Sequence, residues 1–216
     1  MDSESEIKNP QNVSRKDRER ERHKNDILDA AERVFVRDGF SAKIESIASE
    51  AEYAVGSIYN FFSSKDELFK CVLLRISQFR DEETAKLISE ISDDPWSGFP
   101  KIVNFWISHH LAHGDFLHIA FSVRHAKTGN LFSEDESVYR EIRTHAESYR
   151  RQMIDYFASL SGCDAVRKLD PAIMFCAFEG YLRTSMFNAR RQGKDGVDWS
   201  EFENRVIGEF AQLFLN

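Results

Sequence analysis

Glycine and proline are scarce in this 216-residue chain, at 10 and 4. Sheet architectures joined by tight hairpins need such turn formers at short intervals, so their scarcity excludes most all-β designs. Together with long charged amphipathic stretches it favours an all-α protein. The three cysteines, Cys71, Cys163 and Cys176, have no C-x-x-C spacing and sit in or beside apolar helical patterns. That predicts buried thiols rather than disulfides or metal ligands. No apolar run approaches the ~18 residues of a membrane span, and the first 24 residues carry no apolar signal segment. A cytoplasmic protein with no membrane partner is therefore expected. Enzyme signatures are lacking as well: there is no glycine-rich phosphate loop, no G-x-S-x-G, no H-E-x-x-H and no paired carboxylates in a motif. No catalytic residue, metal or cofactor is expected.

What is there centres on residues 41–69. Ile44, Ile47, Ala48 and Ala51 recur at i, i+3, i+4 and i+7 and give a two-turn helix one apolar stripe. Glu52, Tyr53 and Ala54 separate it from a second short helix, in which Ile58 and Phe62 share a face while Gly56, Ser57 and Asn60 point away. Two short helices in a tight turn, the second presenting small polar side chains, are what a helix-turn-helix needs to enter the major groove of DNA. Ser64 followed by Glu67 then reads as a capping box opening a long third helix.

The ordered set Ile44 to Ala48, Gly56-Ser57-Ile58-Tyr59, Phe61-Phe62 and Ser64-Lys65-Asp66-Glu67-Leu68-Phe69 resembles the N-terminal domain of TetR-family transcriptional regulators. The resemblance covers roughly the first 70 residues. Four departures stand out. The chain is one residue shorter ahead of the first of these helices, which leaves Ser41 as its expected N-cap. Glu52 stands where glycine is usual, at a cost on the order of 1 kcal/mol if the backbone is left-handed. Ala54 replaces the usual serine cap, forfeiting about 1 kcal/mol, and Val55 takes a place often filled by lysine.

Charge has to be read locally, because the formal net charge of −7 disfavours indiscriminate binding to polyanions but acts weakly beyond a Debye length of about 10 Å. Between Ser14 and Lys24 six basic residues alternate with Asp17, Glu19 and Glu21. The pattern suits either a solvated helix extension or an arm reaching the DNA backbone.

The expected organisation is a flexible arm over residues 1–17, a helix-turn-helix domain over 18–64 and a larger helical domain over 65–216. The first helix spans Arg18 to Arg37. A long helix follows from Lys65 to Ile91, and five more are expected: Pro100 to His113, Asp115 to Lys127, Ser133 to Leu160, Asp170 to Gln192 and Asp198 to Leu215. The breaks fall at Gly114, Thr128 to Asn130, Ser161-Gly162 and Gly193 to Gly196, for nine helices in all.

The last two helices carry apolar residues nearly all round, which fits either burial within the chain or a subunit interface. Phe178, Tyr181, Phe202, Val206, Phe210 and Leu213 are the interface candidates, and the resemblance implies a homodimer built as a four-helix bundle from these helices. Between Phe99 and His125 aromatic and imidazole groups crowd together. Apolar walls with a few polar tips suit a small-molecule pocket. Its candidate lining is Trp106, His109, His110, His113, Phe121, His125 and Phe178; core packing is the competing reading for each. His109 and His113 stand at i, i+4 without a third ligand in view. Arg124 and Arg183 could pair with Glu179 or meet an anionic ligand.

The resemblance implies a homodimeric repressor that binds double-stranded operator DNA and is released by a small apolar or aromatic effector. Tyr59 and Lys65 are the candidate phosphate contacts, with the helix end at Lys65 adding partial positive charge. Ser41, Lys43, Val55, Gly56, Ser57 and Asn60 complete the DNA-facing set, Gly56 by permitting close approach. Tyr59 could instead be a packed aromatic. A DNA-bound dimeric scaffold without an effector is the alternative.

Overall fold

The computed structural model describes residues 14–91, 94–125, 137–161, 170–191 and 197–214. They form eight α-helices and no strand: α1 (Arg15–Asp38), α2 (Ile44–Ala51), α3 (Val55–Tyr59), α4 (Lys65–Ser89), α5 (Pro95–His125), α6 (Ser137–Ser161), α7 (Pro171–Arg191) and α8 (Trp199–Phe214). None of these helices is long and apolar enough to cross a membrane.

Helix starts follow local chemistry closely. Ser14 caps α1 by accepting the Asp17 N–H at 3.1 Å, so the helix opens three residues earlier than the apolar pattern indicates, and residues 15–17 belong to it rather than to an arm. Three later helices begin after an aspartate. Asp94 accepts the Trp96 N–H at 3.0 Å, Asp170 the Ala172 N–H at 2.7 Å, and Asp198 the Ser200 N–H at 2.9 Å. In two of them proline follows at the first helical position, where its missing N–H and fixed φ cost nothing. Asp94-Pro95, read from the sequence as a stop, is thus also a start.

The break expected at Gly114 does not exist, since α5 runs unbroken across it. An interior glycine costs about 1 kcal/mol relative to alanine. Keeping the stripe of His109, Phe116 and Ala120 buried outweighs that. Merging these two segments makes eight helices of the expected nine. The other expected breaks, at 128–130, 162 and 193–196, lie outside the described residues.

The chain divides into two compact units, Met1–Val72 and Leu73–Asn216, with the boundary inside α4. In the first, Ile27, Ala31, Val34 and Phe35 of α1 are fully buried, as are Ile47 of α2, Ile58 of α3 and Leu68, Phe69 and Val72 of α4. Phe69 is edge-on to both Phe35 and Phe40, with ring centroids 5.0 Å apart in each case. In the second unit α5, α6, α7 and α8 enclose one apolar core. Phe178 stands at its centre, with Phe210, Phe157 and Phe99 at centroid distances of 5.2, 5.4 and 5.8 Å.

Of the cysteines, Cys71 is half-buried and Cys176 is exposed on α7, so the expected burial fails at Cys176, whose helix face points outward. Cys163 lies outside the described residues. Truncating the fully buried ring in Phe178→Ala removes contacts with four other rings and should cost about 3–5 kcal/mol, measured by urea unfolding of the full chain.

Candidate functional site

The α2–α3 turn is closed by the backbone. The Tyr53 N–H donates to the Ala48 carbonyl at 2.9 Å and the Glu52 N–H to the Ser49 carbonyl at 3.2 Å, the paired 6→1 and 5→2 bonds of a Schellman motif. Glu52 sits between them at φ 61°, ψ 32°, and among the described residues it alone combines a side chain with positive φ. The left-handed backbone that glycine would relieve is therefore present. Ala54 begins α3 with no side-chain cap, as its chemistry requires.

Ser41 does not cap α2. The helix starts at Ile44 with Lys43 in the cap position, while the Ser41 hydroxyl donates to the Asp38 carbonyl at 3.2 Å. The reason is reach: Ser41 is spent closing the end of α1, three residues before α2 opens.

α3 is anchored by Ile58, with Phe62 just beyond it, at 0% and 2% exposure. Gly56, Tyr59 and Asn60 are exposed, and Val55 and Ser57 are partly so. Tyr59 is 51% exposed, so it is not a packed core aromatic. A Cβ built on Gly56 meets nothing within 4 Å, which leaves open space ahead of this face. The Arg20 guanidinium of α1 lies 5.6 Å from the Phe61 ring centroid, next to α3.

At the start of α4, Ser64 accepts the Glu67 N–H at 3.1 Å. The Glu67 carboxylate reaches back one residue further than a capping box requires, accepting the Ser63 N–H at 2.6 Å and the Ser63 hydroxyl. A carboxylate already holds the place an external anion would take, so the helix end adds less for a phosphate than the sequence suggested. Lys65 donates to the Phe40 carbonyl at 2.8 Å and lies 4.9 Å from that ring's centroid. Its ammonium keeps further donors for an outside partner.

In the second unit Trp106 and His109 are buried, at 3% and 4% exposure. Trp106 stacks on His110 at 3.7 Å, and His109 lies 5.2 Å from His113. Phe178 joins them, 6.3 Å from Trp106. Phe121 does not line the interior, being 57% exposed. The side chain of His125 lies outside the described residues. Among those described, no group of three or more His, Cys, Asp or Glu residues could hold a metal.

Burial pushes the His109 imidazole down to about 3, helped by the positive charge of Arg80 and by His113 and His110, while a hydrogen bond to the Ile76 backbone opposes the shift. The Trp106 indole N–H donates to the Tyr149 hydroxyl at 3.1 Å. Burial pushes that phenol up, against the pull of Arg80. Arg80 and Thr84 were missed in the sequence, although they stand at i+4 steps in line with Ile76.

The interface candidates divide. Phe178, Phe202, Val206 and Phe210 are between 0% and 4% exposed inside the single chain, so they belong to its own core. Tyr181 is partly buried, its hydroxyl donating to Glu209, and the Leu213 side chain lies outside the described residues. The outward face of α7 carries Ile173, Ala177, Gly180, Thr184 and Phe187, with Ile173 63% and Phe187 53% exposed. Arg183 is also exposed and needs no buried partner; the Arg124 side chain lies outside the described residues.

Residues 27–72 match the family described as bacterial regulatory proteins, tetR family. The HTH-type transcriptional repressor NicS of Pseudomonas putida is 33% identical over 100 residues, which is 46% of this chain and 47% of NicS. The chain thus spans about half the length of that curated relative. Among solved structures, the transcriptional regulator FadR from Bacillus subtilis, in complex with stearoyl-CoA, superposes with a TM-score of 0.68 at 15% identity, covering 88% of this chain and 98% of that one. The fatty acid degradation regulator FadR from Bacillus halodurans gives 0.66 at 17% identity, covering 86% and 96%. At these identities the superpositions establish the fold.

Two outcomes are expected here. Glu52→Gly relieves the left-handed strain and should stabilise the protein by about 1 kcal/mol, seen as a raised urea midpoint. His109 is neutral when folded, whereas the unfolded chain takes up its proton below pH 6.5. Its contribution is therefore complete above pH 6.5 and is lost as pH falls toward 3, at about 1.4 kcal/mol per pH unit. His109→Gln should flatten the acid limb of a stability-versus-pH curve by that slope.

Proposed function

Through residues 27–72 the chain belongs to the tetR family of bacterial regulatory proteins, and from that premise we propose that it is a sequence-specific, homodimeric repressor released from operator DNA by a small apolar or aromatic effector. The observation that carries the reading is the α3 face, held out by Ile58 and Phe62 behind it and by the closed turn ahead of it. Val55, Gly56, Ser57 and Asn60 are the groove-facing residues. Tyr59 and Lys65 contact phosphate, and Ser41 and Lys43 flank them.

A dimer brings two such faces to a pseudo-palindromic site. The partner packs on the α7 face of Ile173, Ala177, Gly180, Thr184 and Phe187, where Ala177 and Gly180 allow close approach and the apolar ends lose their exposure to water. Effector release is a population shift, and a 100-fold loss of DNA affinity needs about 2.7 kcal/mol of coupling. NicS is named as a repressor and one FadR structure holds stearoyl-CoA, so acyl-CoA thioesters belong in the effector screen. A scaffold without an effector is the second reading, and the ring cluster filling the core around Phe178 favours it.

Fluorescence anisotropy on the DNA upstream of the gene against a scrambled duplex tests the central reading. The expected preference is at least about 10³-fold, with affinity falling steeply in salt; equal weak binding to both overturns it. Tyr59→Phe and Lys65→Ala should weaken binding uniformly across sequences, Lys65→Ala lowering the salt slope by about 1. Ser57→Ala and Asn60→Ala should instead change sequence preference. Gly180→Arg should shift light-scattering mass from dimer to monomer and abolish high-affinity operator binding.

A further inference from the structure

On α4 of the second unit a half-buried guanidinium, that of Arg80, packs against the core. The Arg80 guanidinium carbon sits 4.1 Å from the Tyr149 ring centroid, and Arg80 Nε is buried with no acceptor. Among the described residues no carboxylate lies within ion-pair distance of Arg80. Asp81, its neighbour in sequence, is occupied by His145 Nδ1 at 2.8 Å and by the Gln152 amide at 2.6 Å. Glu179 acts on the Tyr149 phenol but is not paired with Arg80.

Two further buried polar atoms, on α4 and α5, are orphaned. Thr84, one helical turn along α4, is 1% exposed and its hydroxyl has no partner; His109, 4% exposed, has no partner at Nε2. The bond between His109 and the Ile76 backbone raises the ring's proton affinity, as donation to a carbonyl does. With Nε2 unpartnered, that donor is Nδ1–H, which leaves Nε2 as a buried lone-pair acceptor. Phe79 lies parallel to the His109 ring at 6.5 Å and Phe105 tilts against it at 5.9 Å, so the surroundings are flat and apolar.

Native interiors leave few polar atoms unpaired. Of the side-chain atoms orphaned here, Arg80 Nε and the Thr84 hydroxyl stand one turn apart on α4, and the His109 ring on α5 feels the Arg80 charge. A trapped water could bridge polar atoms, but it does not match the planar, charged donor fork of Arg80 as an anion does. With one cation and no second arginine or lysine placed beside it, a single negative charge is the better match than a phosphate dianion.

We propose that Arg80, Thr84 and His109 form the polar end of a ligand site for the carboxylate of a small aromatic or apolar acid. Arg80 and Thr84 donate to the carboxylate, and His109 Nε2 accepts from a hydroxyl or N–H on the ligand. This deepens the effector reading above and rests on it.

The test uses the full chain without DNA. Benzoate, 4-hydroxybenzoate and octanoate are titrated against the amides benzamide and octanamide, by calorimetry and by tryptophan fluorescence. At least one acid should bind at millimolar concentration or below, about tenfold or more tighter than its amide, as a charge-assisted contact requires. Arg80→Met and Arg80→Gln should each abolish the acid-over-amide preference, and Thr84→Val should reduce it. The ligand-free melting temperature of Arg80→Met should stay level or rise, because an unpaired charge has been removed; a fall in both Arg80 variants would mark a structural cation on Tyr149 and overturn the proposal. Acids that do not bind, or that bind no better than their amides, overturn it too. A neutral compound that releases operator DNA while no acid binds leaves the effector reading standing and removes this one. Acids that bind through Arg80 without loosening the DNA complex do the reverse.

Discussion

Everything proposed for the DNA-binding end depends on one turn. Two backbone hydrogen bonds hold Glu52 in a conformation that disfavours a side chain. The strain is the cost of ending α2 and starting α3 within three residues, which gives α3 a buried side at Ile58 and an open side at Tyr59 and Asn60. Since α3 is only five residues long, it could not persist as an isolated helix. The packing of Ile58 and Phe62 and the closed turn together hold its outer face in position.

The second unit obeys a different constraint. Its core is dominated by large rings around Phe178, and aromatic groups prefer edge-on and offset contacts to face-to-face stacking. Such a core fills space well but has few groups to satisfy buried polar atoms. Asp81, His145 and Gln152 answer one another, although Gln152 Oε1 keeps no partner, and Trp106 with Tyr149 forms a satisfied pair. Arg80 Nε, the Thr84 hydroxyl and His109 Nε2 are left without partners, and the charge carried by the first is what singles this set out.

Helix ends show how far local chemistry reaches. Ser14, Asp94, Asp170 and Asp198 each accept an N–H within three residues of themselves, so the sequence announces these starts directly. Ser41 has the right chemistry for a cap and is used elsewhere, because the Asp38 carbonyl at the end of α1 is the nearer partner. Gly114 has the right chemistry for a stop and is overruled by the buried stripe that continues through it. Local signals win where nothing distant competes, and burial wins where it does.

The sequence by itself determined the all-helical class, the α2–turn–α3 unit, the strained position at Glu52 and the aromatic richness of α5, because each rests on contacts within about one helical turn or on short ordered motifs. Only the tertiary structure decided which apolar faces of α7 and α8 are spent inside the chain. Periodicity marks a face as apolar but carries no record of what covers it, so Phe178 and Phe210 could be read as interface until their mutual packing was seen. The same limit hid Arg80. On α4 it is one charge among many, and its place against the Tyr149 ring of α6 and near His109 of α5 is set only by how the helices pack.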